Sequence, residues 1–120
     1  MPRSQPDKRQ FINQLIASRN KGNVLELELI IQGKKKEAAK VHKATRKLSR
    51  RIDDMIAAAM RTWRLQASVF VNDMQKRNAA LQAKIRDVKN KIKIAENVVK
   101  AVGVLDEAAA LAAKAVGKGK

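Results

Sequence analysis

Lys36, Lys40, Lys43, Lys47 and Arg50 follow one another at intervals of 4, 3, 4 and 3 residues. On a helix that spacing lines the five cations along one face, and Arg61 rejoins the row after an interruption by Asp54. Val41, Thr45, Leu48 and Ile52 fall roughly opposite, so one side is written to pack and the other to meet negative charge. Like charges at i, i+4 oppose the helix by about 0.2–0.5 kcal/mol per pair, so an unmixed row has some other reason to exist. Residues 34–51 carry nine Lys or Arg and a single acid, Glu37, whereas a merely solvated face mixes Glu with Lys. The chemistry this pattern suits is phosphate contact, with nucleic acid or lipid headgroups as the source. A second basic cluster holds Lys84, Arg86, Lys89, Lys91 and Lys93, where Arg86 and Lys93 lie seven residues apart.

Little else in the chain could do chemistry. There is no Cys, no Tyr and one His, which excludes a disulfide scaffold, a thiolate nucleophile and a multi-histidine metal site. His42 has no Glu or second His at ligand spacing. Asp53-Asp54 and Asp106-Glu107 are adjacent pairs, which diverge by about 100° on a helix and do not converge on a substrate. The stretch Ile30-Ile31-Gln32-Gly33-Lys34 fails as a phosphate loop, having Glu28 where glycine is needed and Lys35 where Ser or Thr is needed. No catalytic residue, metal, cofactor or small-molecule substrate is therefore expected. Zinc-finger spacing is missing too, and Phe11, Trp63 and Phe70 are too few for base stacking. Nucleic-acid binding would be backbone-dominated, independent of sequence and steeply salt-sensitive.

Composition agrees. The 120 residues include 27 Lys or Arg against 11 Asp or Glu, a formal net charge of +16, which favours polyanionic partners. A hydrophobic content of 45% is too high for a wholly disordered basic tail. Residues 1–10 lack the apolar core of a secretory signal. The most apolar region, 101–116, is broken by Gly103, Asp106, Glu107 and Lys114, short of a spanning helix. A soluble, cytoplasmic protein is the expectation.

The elements behind the basic row are helical. Past Pro6 there is no proline, and between Gly33 and Gly103 no glycine. Pro6 and Asp7 suit a first helical turn, Phe11, Ile12, Leu15 and Ile16 share a face, and Asn20-Lys21-Gly22-Asn23 reads as a stop. Residues 24–32 alternate like a strand, but no second alternating segment exists to pair with them, which favours helix. From residue 34 heptads dominate: Val41, Leu48 and Met55 with Thr45, Ile52 and Ala59, then Met74, Leu81, Val88, Ala95, Val102, Ala109 and Val116 with Val71, Ile85, Ile92 and Val99. The stripe changes phase between residues 63 and 74, around which Trp63, Phe70, Met55, Met60 and Met74 read as a local core. The polar run 72–78 is a candidate turn there; the alternative is a continuous helix with a stutter. Gly103 is placed to end or kink the last helix, and the Ala-rich 101–116 reads as a close-packed helix contact.

The expected fold is all-α and elongated, a helical hairpin or coiled coil over 34–116 that turns near 72–78. One or two short N-terminal helices occupy 1–33, and 117–120 form a flexible basic tail. Val41, Leu48, Ile52, Met55, Leu81, Ile85, Val88, Ile92 and Val99 form the seam through which it would dock a helical partner or a second copy. Lys36, Lys40, Lys43, Lys47, Arg50, Arg61, Arg86 and Lys93 would meet the polyanion. The function this suggests is a non-enzymatic assembly or adaptor protein that contacts nucleic acid. A membrane-surface or pore-associated protein and a basic chaperone or inhibitor of an acidic partner are the alternatives. No motif is specific enough to name a family.

Overall fold

Six inward positions at heptad spacing recur on each of four helices, and they account for the architecture. The computed structural model describes residues 4–58, 63 and 67–117, without the side chains of 4–7 and 67–69. Within these, the helices are α1 (Ser4–Ile31), α2 (Lys35–Ala57), α3 (Ala67–Lys89) and α4 (Ile94–Ala115). On α1 the inward positions are Phe11, Leu15, Ser18, Gly22, Leu25 and Leu29, and on α2 Ala38, Val41, Thr45, Leu48, Ile52 and Met55. On α3 they are Val71, Met74, Asn78, Leu81, Ile85 and Val88, and on α4 Val98, Ala101, Leu105, Ala108, Ala112 and Ala115. Steps of 3 and 4 residues hold one stripe of each helix against its neighbours, as in bundles packed ridge into groove. Each fully buried Leu, Ile or Phe is worth about 1.5–3 kcal/mol. The alanines of α4 contribute less apiece but let its backbone approach closely.

Specific contacts fix the topology. Glu26 meets His42 and Gly22 lies against Thr45, so α1 and α2 run antiparallel. Gln14 reaches Asn78, Lys21 reaches Gln82 and Gln32 reaches the Val88 carbonyl, so α1 and α3 run parallel. α4 packs on α2 and on α3, while α2 and α3 stand at opposite corners of the bundle. The molecule measures 49 × 21 × 20 Å, a short rod. Beneath the last turn of α2, the indole N–H of Trp63 donates to the carbonyls of Met55 and Ala58, each at 3.3 Å. Phe11 and Phe70 tilt against each other at 5.6 Å. Trp63, Met55 and Met74 are thus core and the half-buried Phe70 packs against it, while Met60 lies outside the described residues.

Four expectations need correction. The segment 1–33 holds no pair of short helices: α1 runs unbroken for 28 residues, through both 20–23 and 24–31. Gly22 is a packing position, not a stop, and Leu25 and Leu29 point inward one turn apart while Leu27 points out. The hairpin with its turn at 72–78 is replaced by a four-helix bundle. That run is the interior of α3, because Asn78 turns inward and fills the heptad position between Met74 and Leu81. Within 34–116 the chain instead leaves helix between Ala57 and Ala67 and again at residues 90–93, where Lys91 and Lys93 take positive φ of 61° and 42°. This resets the helical phase, so Ile92, Ala95 and Val99, counted forward by sevens from α3, land outside and Val98 and Ala101 are buried instead, although Ala109 of the same count is buried as well. Finally, α4 passes straight through Gly103, where an added Cβ would meet nothing. The tail residues 118–120 lie outside the described residues.

Candidate polyanion interface

Helix α2 exposes its basic row because its opposite side is consumed by Val41, Thr45, Leu48 and Ile52. Lys36, Lys40, Lys43, Lys47 and Arg50 are all exposed, and none is held in an ion pair among the described residues. At 1.5 Å rise per residue the row is about 21 Å long, with one cation every 5 Å or so. α4 supplies the far wall: Lys40, Lys43, Lys47 and Arg50, with His42, Ala44 and Arg46, open onto a groove of about 820 Å³ that Val102 and Asp106 complete. Towards the end of α2, Arg51 pairs with Asp54 at 3.5 Å and closes the row with negative charge. His42 is not part of the row but lines the same groove, its Nδ1 at 3.1 Å from the Glu26 carboxylate of α1. The wall formed by Val102 and Asp106 is new relative to the sequence reading. Nothing in the heptad count, which carried Val102 as a seam residue, signalled it.

The remaining basic residues go elsewhere. Arg86 is exposed on α3, at the opposite corner from α2, and Lys93 is exposed in the link before α4, so neither extends the row. Arg61 lies outside the described residues. Of the proposed docking seam, Val41, Leu48, Ile52, Met55, Leu81, Ile85 and Val88 are covered by the chain's own helices, and Ile92 and Val99 are exposed. Those seven are therefore the molecule's own core.

No protein-family model, curated protein or solved structure matches this chain. Its function rests on its own geometry. Among the described residues no three His, Asp or Glu side chains gather as a metal ion would need, and no helix is long and apolar enough to cross a membrane. What the α2 flank does offer, among the described residues, is a straight row of cations outside any ion pair, beside a groove that includes Asp106, with Asp53 and Asp54 sharing a second hollow with Lys47 and Arg50. Such a row can hold a chain of phosphates by position and charge, without reading bases.

Proposed function

We propose that this protein is a non-enzymatic helical bundle that binds nucleic acid along the α2 flank, without sequence preference. The observation that supports this reading is the row itself: five exposed cations on one face, each without a carboxylate partner among the described residues. Its length of about 21 Å spans roughly six phosphates of one duplex strand, at 3.4 Å each along the axis. Longer side chains on neighbouring Arg46 widen the field. The absence of a stacking platform on this face favours backbone contact over base recognition.

Fluorescence anisotropy with labelled duplexes of unrelated sequence, over a series of salt concentrations, tests it. Five phosphate contacts give a slope of log affinity against log salt of about −4.5. Changing Lys40, Lys43 and Lys47 together to Glu removes binding, with the circular dichroism of the fold retained. A slope near zero, or a triple variant that binds as tightly as the parent, overturns the assignment.

A further inference from the structure

The bundle concentrates its exposed apolar side chains at one end. Among the described residues the large exposed ones are Val24, Leu27, Ile30, Ile31, Ile56, Ile92 and Val99. All but Ile56 lie within about two helical turns of the end where α1 passes into α2 and α3 into α4. The two turns sit together there. Gln32 Nε2 donates to the Val88 carbonyl at 2.8 Å, and Ile31, Lys34, Lys91 and Ile94 line one cleft. Ile31, the most exposed of the set at 70%, closes a stripe on the outer face of α1 with Val24 and Leu27.

Lysines surround these side chains. Lys34, Lys35, Lys36, Lys89, Lys91 and Lys93 are all exposed at this end, and none is in an ion pair among the described residues. The acids nearby are partly engaged: Glu28 accepts from Gln32 at 2.9 Å, Glu26 meets His42, and Glu96 lies 3.7 Å from Lys100, leaving Glu37 and Asp87. Lys91 holds a left-handed conformation that glycine adopts without strain. A strained position that carries a cation is an outlier of the kind that accompanies function.

From these observations we infer that this end of the bundle is a docking tip for an anionic lipid bilayer. Ile30, Ile31 and Ile92 enter the headgroup region, and the lysines engage lipid phosphates and carboxylates. The combination selects this occupant. A nucleic acid would satisfy the lysines but leave the isoleucines in water, and a second copy would set one lysine ring against another. A bilayer interface takes both at once, apolar side chains below and cations at headgroup level. The tip is separate from the groove between α2 and α4, so the two surfaces can be tested apart, although Lys36 stands at the start of the α2 row.

The test is co-sedimentation of the full chain with phosphatidylcholine vesicles, with and without phosphatidylserine, at low and high salt. The expected result is binding to the phosphatidylserine vesicles with a fraction that persists at high salt. Changing Ile30, Ile31 and Ile92 together to Ser should weaken partitioning at least tenfold and abolish that fraction, while duplex binding stays at the parental level. Because these side chains are exposed, the variant should keep the parental helix content. Independently, Ile31→Trp should show a blue-shifted emission component when phosphatidylserine vesicles are added. Parental sedimentation of the Ser variant, no salt-resistant fraction in the parent, or no emission shift at position 31 would each overturn the inference.

Discussion

Gly22 stands at an inward position of α1 with Thr45 of α2 occupying the space its own Cβ would need. A Cβ there would collide with the Thr45 hydroxyl and press on its methyl at 3.3 Å and on Leu105 at 3.4 Å. Two effects therefore compete in Gly22→Ala. Helix propensity gains about 1 kcal/mol, while overpacking a buried contact costs about 1–3 kcal/mol. Thr45 can move its hydroxyl only by exchanging one helical χ1 rotamer for the other, and its methyl and Leu105 already stand against the position, so packing wins. Urea denaturation should show Gly22→Ala less stable than the parent, and the same substitution in a Thr45→Ala background stabilising. A stabilising effect in the parent would mean that the α1–α2 approach is looser than described. The buried Thr45 hydroxyl, itself without a hydrogen-bond partner, marks how tightly this layer is drawn. A comparable constraint holds α1 to α3, where Asn78 donates to Gln14 Oε1 at 2.7 Å and to the Gln14 carbonyl at 3.0 Å, and meets the Ser18 hydroxyl. A buried polar group with specific partners sets register in helical assemblies. Neither residue was legible as core, because each looks like a breaker when only its own neighbours are read.

At the scale of elements, the two turns at the lysine-rich end are built alike and filled differently. Lys34 N–H donates to the Leu29 carbonyl at 2.8 Å and Gly33 N–H to that of Ile30 at 3.0 Å, the paired bonds of a Schellman cap with glycine at the left-handed position. After α3, Ile92 N–H donates to the Asp87 carbonyl at 2.8 Å and Lys91 N–H to that of Val88 at 2.9 Å, so Lys91 occupies glycine's place. An L-residue pays about 1 kcal/mol or more there. Lys91→Gly should therefore raise the urea midpoint by the equivalent of about 1 kcal/mol, despite the greater chain entropy of glycine when unfolded. In the vesicle assay it should weaken binding. No gain in stability would show that lysine is unstrained at this position. This cap also explains what could and could not be read from the sequence. Helix content was legible, since Ala, Leu, Lys and Gln carry it locally, and so was the basic row, which is a periodicity within one element. The number and pairing of helices was not. Topology turned on Lys91, a poor signal for a turn, and on Asn78, whose inward orientation depends on a partner 64 residues away in sequence.

For the molecule as a whole, a net charge of +16 on a rod about 20 Å across is a stored repulsion. Ion pairs among the described residues relieve it locally at Arg51, Arg77 and Lys100, whereas the α2 row is left without such relief. If that row exists to bind phosphate, affinity and stability should pull against each other along it. Changing Lys36 and Lys43 to Glu provides the sharpest case. Each change removes one positive charge and adds one negative, so the net charge falls from +16 to about +12. Glu would then precede Lys40 and Lys47 by four residues, the favourable order for i, i+4 pairs, each worth about 0.3–0.5 kcal/mol. Glu at 36 also suits the positive end of the α2 dipole, which Lys36 opposes. The double variant should accordingly be more stable than the parent by about 1 kcal/mol in low salt, with the gain shrinking as salt screens the parent's repulsion. Its duplex affinity should fall and its salt slope flatten by about 2 units, one for each lost phosphate contact. Thermal melts and anisotropy on the same samples read both quantities. A variant that lost binding and stability together would identify these lysines as parts of the fold, and the reading of the α2 flank as a binding surface would fail with it.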